Sequence, residues 1–138
     1  MKKYRLIEHT ADLGILVCGD SPGDLFANAA CAVFDLMTDL GQVRLAGERR
    51  IDLEGADWED LLVNYLREVL YLFNGEGMLL ADFIIADIDP HCVSGSVRGE
   101  LFDARRHIIK REIKAVTYHG VEVSETGKGW RGKVILDV

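Results

Sequence analysis

The sequence predicts a single α+β domain, spanning residues 1–138, in which two amphipathic helices pack on a mostly antiparallel or mixed β-sheet. Three observations support this fold class. The chain has 138 residues, a common domain size, without repeats or low-complexity linkers that would divide it. Hydrophobic residues make up 49% of it, which is typical of a globular protein with one core. Two segments carry apolar residues at helical spacing, and most other segments alternate as strands do.

Each predicted helix has a recognisable start. Ser21 is the expected N-cap of the first helix, with Pro22 at the first helical position. Asp57 opens the second helix, and Gly75 and Gly77 end it. Both apolar stripes need a sheet to cover them, because burying one large apolar side chain contributes about 1.5–3 kcal/mol. The stripes consist of Leu25, Phe26, Ala29, Ala30, Val33, Phe34 and Met37 in the first helix, and of Trp58, Leu61, Leu62, Tyr65, Leu66, Val69, Leu70 and Phe73 in the second.

The predicted strands follow from alternation and from the turn residues between them. One hairpin has Pro90 near its turn, and a second surrounds residues 126–129. The element order is then roughly ββαβαββββ, with residues 112–118 fitting either a strand or a helical turn. The predicted strands are 4–8, 14–18, 50–54, 83–89, 93–102, 121–125 and 133–138.

Charge and composition exclude several classes of protein. The net charge of −7 argues against stand-alone nucleic-acid binding, because an acidic surface repels phosphate backbones. No apolar run approaches the roughly 18 residues of a membrane span, and the N-terminal segment lacks the apolar region of a signal peptide. We therefore expect a cytoplasmic protein without membrane contact. Cys18, Cys31 and Cys92 are far apart and odd in number, so we expect small buried apolar residues and no disulfide framework.

One basic segment departs from this acidic character. Within residues 105–114, five cations lie around one histidine. A solvated loop and a contact surface for an acidic or phosphate-bearing partner are equally good interpretations. The residues are Arg105, Arg106, His107, Lys110, Arg111 and Lys114.

The candidate functional residues lie in a polar break and at the end of the chain. The break, within residues 8–14, fits either a turn capped by Asp12 or a polar site at a strand end. The last strand places Asp137 beside the terminal carboxylate of Val138, and two adjacent negative groups need a cation. If Asp12 lies nearby, three carboxylates converge, and such oxygen ligands favour Ca²⁺ or Mg²⁺. Lys114 either projects towards this cluster or is an ordinary surface lysine.

At these residues the sequence resembles the archease family, and the resemblance covers essentially the whole chain. Any one of its motifs is weak alone, but together they are specific. They are Ile7-Glu8-His9-Thr10-Ala11-Asp12-Leu13-Gly14, Asn28-Ala29-Ala30, Phe34-Asp35-Leu36-Met37-Thr38-Asp39, Asp60-Leu61-Leu62-Val63, Leu70-Tyr71-Leu72-Phe73, Val97-Arg98-Gly99-Glu100, Lys114-Ala115-Val116-Thr117-Tyr118-His119 and Ile135-Leu136-Asp137-Val138.

The resemblance implies a protein cofactor and not an enzyme, so no catalytic residue is expected. Archeases promote guanylylation of the RtcB-type tRNA-splicing RNA ligase and thereby allow multiple turnovers. The implied partner is the ligase, and contact with tRNA is only indirect. The implied cofactor is a divalent metal, Ca²⁺ first and Mg²⁺ or Mn²⁺ as alternatives. Its ligands fall on Asp12, Asp137 and Val138, with Lys114 and His9 as further functional positions.

Two other functions stay open on the residues alone. Asp12 and His9 suit general acid–base work in a small metal-dependent hydrolase, although no nucleophile or oxyanion arrangement accompanies them. The other is a chaperone-like interaction module in which a metal only braces the C-terminus. Adding the protein in substoichiometric amount to a purified RNA ligase separates these functions from ligase activation.

Overall fold

The computed structural model describes residues 4–8 and 12–138, with the side chain of Glu8 left out. Its elements follow the predicted ββαβαββββ order, and the ambiguous stretch 112–118 becomes a strand from Ala115 onwards. The elements are β1 (Tyr4–Glu8), β2 (Asp12–Gly19), α1 (Pro22–Met37), a 3₁₀ turn (Leu40–Gln42), β3 (Gly47–Glu54), α2 (Trp58–Asn74), β4 (Met78–Asp89), β5 (Cys92–Leu101), β6 (Ala115–Thr126) and β7 (Gly129–Asp137).

Both helices start where the sequence predicts. The Ser21 hydroxyl accepts a hydrogen bond from the Asp24 backbone N–H at 3.1 Å, and the Asp57 carboxylate accepts one from the Asp60 N–H at 2.8 Å. These side chains satisfy donors that a helix leaves unpaired at its first turn. Gly75 is the C-cap of α2. In the part of the chain that is described, neither helix has the length and apolar character needed to cross a membrane.

The strands form two sheets where the sequence predicts one. The first has the order β1-β2-β7-β6 and the second β3-β5-β4. All pairings of the described strands are antiparallel, so the mixed alternative does not occur among them. Helix α1 packs against β2 and β4, and α2 packs against β6 and β4. Each helix therefore contacts both sheets, and the two sheets share one core.

The alternation of β2 and β7 determines which side chains enter that core. Leu13, Ile15 and Val17 of β2 are buried, as are Val134 and Leu136 of β7. The residues between them point to the outer face of the first sheet, because successive side chains of a strand point to opposite faces. The ends of both strands, including the two candidate aspartates, take part in this alternation.

The prediction that the cysteines are buried is wrong for two of them. Cys18 and Cys92 are exposed, Cys31 is half-buried, and all three are free thiols. Cys18 follows the buried Val17 on β2, so alternation turns it outwards. Cys92 starts β5, where its thiol donates a hydrogen bond to Asp89 Oδ2 at 3.3 Å.

The basic segment is divided between internal and exposed side chains. Glu100 accepts a hydrogen bond from the Arg44 backbone N–H at 2.7 Å and pairs with the Arg106 guanidinium. His107 is buried, and its Nδ1 accepts the Asp103 N–H at 2.9 Å. Nε2 therefore carries the hydrogen and donates it to Glu100 at 2.9 Å. By contrast, the Arg105 side chain is 91% exposed.

We expect the Glu100→Gln substitution to destabilise the fold by about 2 kcal/mol at neutral pH, because it removes charge-assisted hydrogen bonds. The Arg44 N–H, with His107 and Arg106, lowers the pKa of Glu100 from 4.5 to about 2. The stabilisation is therefore fully present above pH 4.5 and is lost as the pH falls towards 2. Urea unfolding at several pH values measures this. A difference in the free energy of unfolding between wild type and variant that stays constant down to pH 2 would contradict this role of Glu100.

Candidate functional site

Asp12 and Asp137 face each other where β2 begins and β7 ends. They are register partners in an antiparallel pair, which places their Cβ atoms about 4.5–5.5 Å apart on one face. The next pair, Leu13 and Leu136, is buried in the core. Both carboxylates therefore lie on the outer face of the first sheet. The structure thus brings together two residues from opposite ends of the sequence.

The Asp12 carboxylate has an unsatisfied oxygen. Its Oδ1 is shielded from solvent and accepts no hydrogen bond from the residues that the structure describes. A buried polar group without a partner costs about 1–3 kcal/mol, and more when it is charged. The exposed Asp137 directly opposite adds like-charge repulsion. A cation held between the two carboxylates would relieve both costs, so this pair fits a metal.

Val138 is the remaining candidate for a ligand. Its side chain packs against the core, which holds this residue next to Asp137. No group of three His, Cys, Asp or Glu side chains suited to a metal occurs among residues 4–8 and 12–138. A cation at Asp12 and Asp137 would therefore need the terminal carboxylate, backbone oxygens or water to reach about six to eight oxygen ligands. Such ligands suit Ca²⁺ or Mg²⁺.

Thr117 belongs to the same outer face and was missed by sequence reasoning. Its Oγ1 is also buried without a hydrogen-bond partner among the described residues. Thr117 is the register partner of Ile135, and Ala115 is the register partner of Asp137. Thr117 therefore lies two residues further along the same face than Ala115. Alternation along β6 identifies this position only once the strand is known to start at Ala115. The outer face therefore offers a second unsatisfied oxygen close to the carboxylates.

Lys114 joins the site through its backbone. Its N–H donates a hydrogen bond to the Asp137 carbonyl at 2.8 Å. Its side chain is exposed and lines a groove beside Arg67 and Tyr71. Within the described part of the chain, no ion pair joins Lys114 to Asp12 or Asp137. The lysine thus lies beside the carboxylates without neutralising them.

His9 lies outside the described residues, together with Thr10 and Ala11. Glu8, the last residue of β1, is the register partner of Leu13 on β2. A functional role of His9 stays a prediction.

Comparison with known proteins gives one consistent result over the whole chain. The model of the archease protein family matches residues 4–138. An archease of Methanopyrus kandleri is 39% identical, covering 96% of each chain. One of Methanosarcina acetivorans is 36% identical over 99% of this chain and 97% of its own. The solution structure of Methanobacterium thermoautotrophicum protein 1598 has a TM-score of 0.84 at 31% identity, covering 100% of both chains.

We expect Asp12→Asn to raise the melting temperature in the presence of a chelator and to abolish stabilisation by Ca²⁺. Removing one of two opposed charges relieves a repulsion of about 0.5 kcal/mol, whereas a bound cation stabilises only the protein that retains both carboxylates. Thermal melts in EDTA and in Ca²⁺ measure both effects. Glu125→Gln, an exposed acid on the same sheet, is the matched control. Equal Ca²⁺ stabilisation of Asp12→Asn and wild type would exclude Asp12 as a ligand.

Proposed function

The chain belongs to the archease family, and from this premise and the geometry of the carboxylate pair we propose that it activates an RtcB-type tRNA-splicing RNA ligase. In this role it is a cytoplasmic protein cofactor that promotes guanylylation of the ligase and so permits repeated turnover in tRNA splicing. The observation that supports the proposal most is the buried Oδ1 of Asp12, which has no hydrogen-bond partner among the described residues and belongs to the residue opposite Asp137. A bound cation would stabilise this oxygen, and the net charge of −7 attracts cations to the protein.

The proposal assigns a divalent cation to Asp12, Asp137 and the terminal carboxylate of Val138. Ca²⁺ is the first choice because flexible oxygen ligands suit it, and Mg²⁺ or Mn²⁺ are the alternatives. When bound, the cation supplies positive charge that offsets negative charge on phosphate groups. The two aspartates orient their oxygens from paired strands, and the packed Val138 side chain holds the chain end beside them. The site is therefore built on two paired strands, which favours a defined geometry.

Lys114 is the second element of the proposed site. Its backbone is hydrogen-bonded to Asp137, while its ammonium group is exposed at the groove. A lysine in such a position acts as a mobile point charge. We assign it to a phosphate of the nucleotide that the ligase carries. The net charge of −7 for the whole chain favours an indirect contact with tRNA.

We expect Lys114→Ala to fold normally and to fail in ligase activation. Removing one exposed charge changes stability by about 1 kcal/mol or less. Removing a charge-assisted hydrogen bond to phosphate from the activated complex slows guanylylation by about tenfold or more. The measurements are thermal stability and guanylylation of purified ligase under multiple-turnover conditions. Lys128→Ala, an exposed lysine in the β6–β7 turn, is the control. A Lys114→Ala protein that activates as well as the control would remove Lys114 from the site.

We expect an extension at the C-terminus to be far more harmful than one at the N-terminus. A single glycine added after Val138 moves the terminal carboxylate away from Asp137 and leaves every other side chain unchanged. Ca²⁺ affinity by calorimetry should fall about tenfold or more, and ligase activation should fall with it. A glycine added before Met1 is the control. If both extended proteins bind Ca²⁺ and activate equally well, the terminal carboxylate is not a ligand.

A further inference from the structure

A second polar feature lies between α2 and the start of β6. It is a groove of about 360 Å³. Its polar lining consists of Arg67, Tyr71 and Asn74 from α2 and of Lys114 next to β6. We call it the α2–β6 groove. It contains two cationic side chains although the protein as a whole is acidic.

Hydrogen bonds to the backbone hold the α2 side chains in position. Strand β6 is an edge strand of the first sheet. Arg67 Nε donates to the Val116 carbonyl at 2.9 Å, and Asn74 Nδ2 donates to the Ile113 carbonyl at 3.0 Å. The Arg67 guanidinium also lies over the Tyr118 ring, 4.5 Å from its centroid. Arg67 is therefore fixed through Nε and its flat face, and its terminal nitrogens form no hydrogen bond with the residues that the structure describes.

In the described part of the chain, the two cations of the groove have no carboxylate in ion-pair contact, although Asp60 is near enough to Arg67 to interact with it electrostatically. Among the residues that the structure describes, neither Arg67 nor Lys114 forms an ion pair. The nearby Asp60 carboxylate is engaged by the Ala56 N–H at 2.8 Å and by the Tyr118 hydroxyl at 2.7 Å. Two like charges in one groove repel each other, and a bound anion removes that repulsion.

Tyr71 adds an aromatic surface with a defined position. Tyr71 is 54% exposed, whereas the other aromatic residues of α2 are buried or half-buried. The ring lies over Gly75, where a Cβ atom would collide with it. Gly75 has φ −96° and ψ −34°, values that any residue adopts. The glycine is therefore not required by the backbone, and its effect is to leave room for the Tyr71 ring.

We propose that the α2–β6 groove binds the phosphate of a nucleotide, with the base against Tyr71. The Arg67 guanidinium matches phosphate oxygens in a two-pronged geometry, and Lys114 adds a mobile charge. Aromatic side chains bind nucleic-acid bases by stacking. The cavity volume lies within the range of small-molecule sites. The groove is separate from the Asp12–Asp137 pair, so this inference does not require a metal. It rests on the phosphate contact that the proposed function gives to Lys114, and it extends that contact to Arg67 and Tyr71.

The test is an NMR titration of the full ¹⁵N-labelled chain in EDTA, which removes metals. The three probes are guanosine 5′-monophosphate, inorganic phosphate and guanosine. We expect the monophosphate to shift the amides of Tyr71, Asn74 and Val116 with a dissociation constant of about 1 mM. Inorganic phosphate should shift them with about tenfold weaker affinity, and guanosine should not. Absence of groove shifts at about 10 mM monophosphate would overturn the proposal.

Single substitutions assign the contacts. Arg67→Gln and Lys114→Gln should each weaken monophosphate binding about tenfold, because each removes a charge-assisted hydrogen bond. Tyr71→Ala should reduce it to the affinity of inorganic phosphate, and Tyr71→Phe should retain it. Arg50→Gln, an exposed arginine on β3, is the control. Unchanged binding by Arg67→Gln, or equal affinity of the wild type for phosphate and monophosphate, would overturn the nucleotide assignment. Neither result would contradict ligase activation, because the ligase assay tests that function separately.

Discussion

The register between β2 and β7 is the constraint on which the candidate site depends. It pairs Leu13 with Leu136 in the core, and the same alternation turns Asp12 and Asp137 to the outer face. A slip of one residue would expose the leucines and bury the carboxylates, at a cost of several kcal/mol. The hydrophobic core therefore fixes the position of the charged pair. The local repulsion between the aspartates is tolerated because the buried residues next to them determine the register.

The α2–β6 groove depends on the position of helix α2. Its apolar stripe enters the core, while a polar stripe on the same helix contacts the open edge of β6. Arg67 donates to a carbonyl of the edge strand β6, and Asn74 donates to a carbonyl of the segment just before that strand. Covering an edge in this way also protects it from pairing with another chain. The groove that we assign to a nucleotide is a consequence of this cover, because the helix approaches the edge without filling the space above Lys114.

The sequence was sufficient for features that depend on neighbouring residues. The N-caps Ser21 and Asp57 and both apolar stripes are local patterns, and each is confirmed. Strand partners are not local, so the division into two sheets was not predicted. For the same reason Thr117 and Arg67 were missed, since their significance arises only from β6 and from the helix beside it. The outward position of Cys18 likewise requires the exact strand phase.

The start of β6 separates two centres of opposite charge on one backbone. The Asp12–Asp137 pair lies on the outer face of the sheet, and the Lys114 side chain enters the α2–β6 groove. If the Lys114 side chain turned to the carboxylates, it would offset one of their two negative charges and leave Arg67 without a second cation beside it. Each centre would then attract a ligand of the opposite sign less strongly. The fold keeps the opposite charges apart within a few residues, and each centre retains its capacity to bind a ligand of the opposite sign.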